Sequence, residues 1–287
     1  MSIGLIPADM TLGPVRLRSA DRDRLAAFYR RVLGLADRVA TVDAVHLGTA
    51  ERTLVEIEGS PDAPPRPRST TGLFHLALLV PSRAELAQSL HRVSGAGWRF
   101  TGASDHLVSE ALYLDDPDGN GIEIYRDRPR EEWTYSEGEL AMATLPMDLD
   151  GVLASLPPGT PDEGMSDGTT MGHVHLQVRD VDEADGFYTG LLGLDPTVRG
   201  YPGALFVSAG GYHHHFGLNT WGTRGAPAPP PGAQGLAAAR IALPGAKDVA
   251  ALAARLRAGG REVEEGEGGV AVADPSGNRL EIGVATA

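Results

Sequence analysis

The chain has 287 residues, of which 42% are hydrophobic, so it can bury a substantial core in one large domain or two. Its formal net charge of -13, with no basic stripe, argues against nucleic acid or an anionic membrane as a partner. Because the chain contains no cysteine, any metal must be held by histidine, aspartate or glutamate.

The N-terminal sequence MSIGLIPADM lacks the basic start and the long apolar run of a signal peptide. No later apolar run approaches the length of a membrane span. We therefore expect a cytoplasmic protein that does not contact membranes.

Two motifs in the first half of the chain return in the second half. Phe28-Tyr29-x3-Leu33-Gly34-Leu35 is matched by Phe187-Tyr188-x3-Leu192-Gly193-Leu194, and the turn at 116–120 is matched by the turn at 274–278. Each half divides again into a strand, an amphipathic helix and several short strands. The predicted fold class is α+β, built from four βαβββ units at about 11–60, 72–128, 171–222 and 236–287.

The predicted elements follow the same order in each unit. In the first half they are helices near 21–33 and from 82 to about 93, and strands near 44–47, 53–58, 73–80, 111–114 and 121–125. A connection from 129 to 170 includes a short helix near 149–156. In the second half they are helices at 181–192 and 246–257, and strands near 173–178, 204–207, 213–218, 239–243, 269–273 and 278–284. The domains are predicted at 1–128 and 171–287.

The stretch 211–219 contains three consecutive histidines, which is not a core pattern and suggests a metal or acid/base role. If this stretch is a strand, its side chains alternate between the two faces of the sheet. His213 and His215 then share one face, and His214 shares the apolar face with Phe216 and Leu218. The alternation thus favours His213 or His215 for chemistry.

These features resemble the vicinal oxygen chelate superfamily, which includes glyoxalases, bleomycin resistance proteins and extradiol dioxygenases. The F-Y-x3-L-G-L and D-P-x-G-N-x-(I/L)-E motifs carry the resemblance over nearly the whole chain. The triple histidine, Gly172-His173-Val174-His175-Leu176 and the segment 104–109 before Tyr113 are similar to the catechol 2,3-dioxygenase-like branch. The resemblance implies two half-open mixed β-barrels, each made of two units, with helices packed outside.

In this superfamily the metal ligands come from the first strand and the last strand of a unit. The first-strand positions are Pro14, His75, His173 and Ala238 in units one to four, and the last-strand acids are Glu123 and Glu281. If units two and three pair, His75, Glu123 and His173 form a complete set of two histidines and one carboxylate. We favour this pairing, and the barrel of units one and four would then be metal-free.

Pairing of units in chain order gives an alternative set, His173, His215 and Glu281. In the favoured arrangement the resemblance implies that His215 acts as the acid/base and that Tyr113 hydrogen bonds a substrate oxygen. Asp105 and His106 are expected to contact the substrate or to support the residues that do. His175 shares a face with His173 and could line the site or replace His173 as a ligand.

The resemblance implies a metal-dependent extradiol dioxygenase that inserts both atoms of O2 into a small aromatic diol. The expected metal is Fe(II), with Mn(II) as a substitute, and a homodimer is one expected assembly. Two alternatives stay open because the scaffold hosts many activities. One is another metal-dependent enzyme such as a glyoxalase-type isomerase, and the other is a metal-free protein that binds a small molecule or antibiotic.

Overall fold

Four βαβββ units make up the fold of the protein. A computed structural model describes residues 6–136, 138–266 and 268–285. Unit one contains β1 (Thr11–Ser19), α1 (Arg22–Arg31), β2 (Ala36–Ala40), β3 (Ala44–Gly48) and β4 (Thr53–Gly59). Unit two contains β5 (Gly72–Leu79), α2 (Arg83–Gly95), β6 (Phe100–Asp105), β7 (Ser109–Asp115) and β8 (Gly121–Asp127).

The connection between the halves contains β9 (Tyr135–Ser136), β10 (Glu139–Leu140), β11 (Leu145–Pro146) and α3 (Leu149–Ala154). Unit three contains β12 (Thr170–Gln177), α4 (Val181–Asp185), β13 (Asp195–Val198), β14 (Ala204–Ser208) and β15 (Phe216–Asn219). Helix α4 continues as a π-helical turn, Gly186–Leu191. Unit four contains β16 (Gly235–Leu243), α5 (Ala246–Ala258), β17 (Glu264–Gly266), β18 (Gly269–Ala273) and β19 (Arg279–Val284).

The strands form two large mixed sheets, and the order of strands shows which units pair. Units two and three, with β11 of the connection, form the nine-stranded sheet β11-β6-β7-β8-β5-β12-β15-β14-β13. Units four and one form the eight-stranded sheet β17-β18-β19-β16-β1-β4-β3-β2. The predicted α+β fold with half-barrel sheets is confirmed, and so is the pairing of unit two with unit three.

Helix starts follow the capping residues that the sequence offers. The side chain of Asp21 accepts a hydrogen bond from the backbone N–H of Arg24, and Ser82 accepts one from Glu85. These bonds satisfy N–H groups that have no partner within the helix.

The two repeated motifs contact each other. The Tyr29 hydroxyl donates to Asp116 Oδ2 at 3.1 Å, and the Tyr188 hydroxyl donates to Asp274 Oδ2 at 3.2 Å. Each helix is therefore tied to the turn of the following unit, although the two units lie in different sheets. All four side chains are buried, so both motifs belong to the core of the fold.

Candidate metal centre

Three buried side chains from neighbouring strands meet on one face of the nine-stranded sheet. His75 lies on β5, Glu123 on β8 and His173 on β12. Because Ala77 is the register partner of both Glu123 and His173, the strands bring these two residues to the same level. Glu123 Oε2 lies 3.0 Å from His75 Nε2 and 3.1 Å from His173 Nε2, and the two Nε2 atoms are 3.3 Å apart.

This spacing fits a divalent cation. Donor atoms that bind an ion at right angles, each about 2.1 Å away, lie about 3 Å from one another. Two imidazole nitrogens and one carboxylate oxygen, without sulfur, suit Fe(II) and similar ions. Among the residues that the structure describes, these three histidine and acidic side chains lie close enough together to bind one ion.

The electrostatic setting keeps Glu123 and His173 in the form that binds metals at neutral pH. Burial disfavours the charged form of Glu123, but His173 and His75 outweigh burial and hold the pKa of this carboxyl well below its usual value. Burial lowers the pKa of His173 to about 4, against the opposing effect of Glu123. Glu123 is therefore a carboxylate and His173 a neutral imidazole, the forms that bind metals.

The three residues lie at one end of a cavity of about 350 Å³. Aromatic side chains of Phe74, Tyr201, Phe206 and Trp221 form much of its wall. The cavity is large enough for a small aromatic ring, and two of its wall residues are partly exposed, Phe74 at 37% and Trp221 at 38%.

The connection between the halves supplies another wall. Met142, Ala143 and Thr144 line the cavity, and β11 pairs with β6 immediately afterwards. The Thr144 hydroxyl lies 3.2 Å from the Tyr201 hydroxyl, so the segment is tied to unit three across the cavity.

Tyr113 and His106, both predicted from the resemblance, also line the cavity. Tyr113 on β7 is the register partner of Glu123, and its hydroxyl lies 2.6 Å from His106 Nε2. Since His106 Nδ1 lies 2.7 Å from the Ala143 carbonyl oxygen, which can only accept, Nδ1 carries the proton and Nε2 accepts from Tyr113. Burial, reinforced by Glu123, raises the pKa of Tyr113 well above its usual value, so the phenol stays protonated.

The triple histidine is not a strand, and this changes which imidazole faces the cavity. Gly210 and Gly211 adopt positive φ, the backbone bends through residues 212–215, and β15 begins only at Phe216. His214 lines the cavity with its ring centroid 4.1 Å from that of His173. His215 instead lines a separate cleft between the two sheets, where its Nδ1 accepts from the Ala209 N–H at 3.2 Å.

The alternation expected for this stretch is therefore wrong, because alternation requires an extended strand. The alternative set of His173, His215 and Glu281 is not assembled either. Glu281 lies on β19 in the other sheet, where it forms an ion pair with Arg16.

His213 and Asp127 connect to His214 in a chain of hydrogen bonds. His213 is fully buried, its Nε2 lies 2.9 Å from Asp127 Oδ1, and its Nδ1 lies 2.7 Å from His214 Nδ1. The carboxylate can only accept, so His213 donates through Nε2 and its Nδ1 accepts from His214. His214 Nε2 is left with its lone pair free toward the cavity. The contribution of Asp127 was not anticipated, because nothing in the sequence relates it to residues 213–214.

Asp105 and His175 complete the set of residues considered from the sequence. Asp105 does not line the cavity, since it forms an ion pair with Arg128 and accepts from the Leu107 N–H. His175 lines the cavity beside His75, with ring centroids 4.9 Å apart. It lies outside the trio of candidate ligands.

Comparisons with known proteins agree with this fold. A sequence model of the Glyoxalase/Bleomycin resistance protein/Dioxygenase superfamily matches residues 11–124 and 170–282. The chain is 42% identical over 282 residues to a catechol-2,3-dioxygenase of Bacillus subtilis (strain 168), covering 94% of this chain and 95% of the relative. It is 33% identical over 79 residues to a biphenyl-2,3-diol 1,2-dioxygenase 3 of Rhodococcus globerulus, covering 26% of this chain and 42% of that protein.

Solved structures show the same fold at lower identity. A Bacillus subtilis chain matches with a TM-score of 0.65 and 17% identity, covering 95% of this chain and 84% of the other. Glyoxalase I from Zea mays matches with a TM-score of 0.58 and 14% identity, covering 96% and 92%. Among the described residues, no helix is long and apolar enough to span a membrane. The family matches in both halves and the relative that spans almost the whole chain show that the protein belongs to the Glyoxalase/Bleomycin resistance protein/Dioxygenase superfamily.

Proposed function

We propose that the protein is an extradiol dioxygenase that uses Fe(II) to open the ring of a catechol-type substrate with O2. The observation that carries the proposal is the group of His75, Glu123 and His173 at the end of an aromatic cavity. Two histidines and one carboxylate leave adjacent positions of an octahedral ion free for other ligands. The 42% identical Bacillus subtilis relative, a catechol-2,3-dioxygenase, supports the same reaction.

In this proposal His75, His173 and Glu123 hold the metal, which supplies a site where the diol and O2 are brought side by side. The protonated Tyr113 hydroxyl, held by His106, orients one oxygen of the diol. Since the hydroxyl is already donating to His106, it offers its lone pair to a substrate O–H.

The acid/base role is assigned to His214 rather than His215. Burial, with smaller effects of neighbouring histidines, lowers the pKa of His214 well below its usual value, so the imidazole is neutral, as a base must be before it takes up a proton. Its Nε2 is the ring nitrogen that does not bond to His213. Acceptance of a proton from the diol at Nε2 would turn the substrate into its more electron-rich form.

The proposal is tested by anaerobic loading with Fe(II) followed by addition of catechols and then O2. We expect a yellow ring-fission product and oxygen uptake, and no product from the matched His75→Ala variant. Iron-loaded protein that consumes no oxygen with any catechol would refute the proposal. Turnover of an α-ketoaldehyde–thiol adduct with Ni(II) or Zn(II) and without oxygen would favour a glyoxalase-type isomerase instead.

The assignment of the acid/base is tested with a pair of variants. His214→Gln should lower kcat by roughly 10²- to 10⁴-fold, the usual contribution of a general acid/base. His215→Gln should leave kcat unchanged, because its side chain lies in a different cleft. The opposite result would return the role to His215.

A further inference from the structure

His175 is a buried imidazole without a hydrogen-bonding partner. It is 4% exposed, its Nε2 is fully buried, and neither of its ring nitrogens bonds to any residue in the described part of the chain. The rings of Phe74, Trp221 and Phe206 surround it, with centroids 5.1, 5.5 and 5.7 Å away. Gly217 lies behind it, and a Cβ there would come within 2.8 Å of the imidazole.

None of these walls forms a hydrogen bond with the imidazole, and neither does His75, whose ring centroid lies 4.9 Å from that of His175. Folded proteins rarely leave a buried polar group unpaired, because the group has lost its bonds to water without replacing them. The remaining direction is the cavity, which His175 lines. Nε2 is closed off by its neighbours, whereas Nδ1 is not among the fully buried atoms without a partner, so Nδ1 is the nitrogen that a molecule bound in the cavity could reach.

His175 lies beside the candidate metal centre and also contacts two partly exposed rings of the cavity wall. His173 and Glu123 lie at one level, since both are register partners of Ala77. His175 lies one level further along the strands, beside His75. It contacts Phe74 and Trp221, the partly exposed rings of the cavity wall. A substituent that extends from a ring at the metal centre toward Phe74 and Trp221 would therefore pass His175.

The lining also indicates what kind of substituent fits. No lysine or arginine lines the cavity among the residues that the structure describes, whereas Asp115 and Glu123 do. A carboxylate substituent on the substrate ring would meet no lysine or arginine there and would lose its hydration. A hydroxyl or another neutral polar group could bond to the imidazole without that penalty.

We infer that His175 is a specificity-determining residue that selects catechols carrying an uncharged hydrogen-bonding substituent on the ring. This inference rests on the proposed function, since it concerns the substrate of the same site. The neighbouring aromatic rings pack on the apolar part of the substrate, and His175 provides the polar contact.

The test compares two catechols of nearly equal shape, 4-(hydroxymethyl)catechol and 4-ethylcatechol. For the iron-loaded protein we expect kcat/KM to favour the hydroxymethyl compound by roughly tenfold, mainly through KM, as expected for one buried hydrogen bond. His175→Phe should remove this preference while keeping an aromatic ring in the wall. His175→Gln should restore part of it, and the control Trp221→Phe should retain it.

Binding is also measured without turnover, by anaerobic titration of the iron-loaded protein followed by tryptophan fluorescence. A lower Kd for the hydroxymethyl compound than for the ethyl compound supports the inference if this difference disappears in His175→Phe. Equal kcat/KM for the two compounds, or a preference that survives in His175→Phe, overturns it while the proposed function stands. If no catechol supports oxygen uptake, the proposed function fails, and the Kd values alone decide the inference: a preference for the hydroxymethyl compound supports it, and equal or undetectable binding overturns it.

Discussion

Replacing His215 with glutamine should make the protein more resistant to mild acid. The imidazole of His215 is largely buried, and burial, with smaller effects of His213, His173 and Arg130, lowers its pKa to about 3 from 6.5. Between these two pH values the unfolded chain binds a proton that the folded protein does not. The free energy of unfolding therefore decreases as the pH falls through this window.

The size of the effect follows from the two pKa values. At pH 5 the unfolded imidazole is almost fully protonated and the folded one is almost fully neutral, which costs the folded state about 2 kcal/mol relative to pH 7.5. Glutamine does not titrate, so the variant avoids this cost. Its free energy of unfolding should fall by about 2 kcal/mol less than that of the wild type between the two pH values.

The assay is urea unfolding followed by circular dichroism at pH 7.5 and pH 5, with a chelator present so that loss of metal does not contribute. Both proteins share the other titrating groups, so the contributions of these groups to the free energy of unfolding cancel when the two proteins are compared. An equal loss in wild type and His215→Gln would refute the reasoning.

Two further predictions concern the metal site and its surroundings. Asp127→Asn should lower kcat by about 10- to 100-fold with little change in KM, because the carboxylate that fixes the orientation of His213 and His214 is lost. The change is measured by oxygen uptake. Asp180→Asn, at the start of α4, is the control. A kcat that does not change would show that Asp127 does not position these histidines. The Glu123→Gln variant should hold no Fe(II) after gel filtration. The Glu281→Gln variant should still hold Fe(II), because Glu281 pairs with Arg16 in the other sheet. Loss of iron in Glu281→Gln, measured by elemental analysis, would contradict the location of the site.

Much of the fold could be predicted because the local patterns and the tertiary contacts agree. The helix starts at Asp21 and Ser82 carry their caps in the sequence, and the structure uses both. The turn Asp116–Asn120 lies between β7 and β8 as expected. The short edge strands β2 and β17 could not be placed, since all their residues are exposed and show no alternation of apolar side chains.

The candidate ligands could be inferred because matching positions recur in the four units, and only units two and three have a histidine there. The orientation of residues 213–215 could not be inferred from the sequence. It depends on the bend at Gly210 and Gly211 and on the partner Asp127 from the other half of the chain. Two adjacent glycines in positive φ end the strand alternation before the histidines are reached. A turn at this pair could have been suspected from the sequence, but the direction of each imidazole could not.

The pairing of unit two with unit three has a consequence for any attempt to divide the protein. His75 and Glu123 precede the connection and His173 follows it, so neither half alone contains all three candidate ligands. Because the connection links the two halves, their association is intramolecular and is governed by an effective concentration. Cleavage at the exposed Gly159 would turn this association into a binding equilibrium between two fragments. A metal ion that binds residues of both fragments would then strengthen their association.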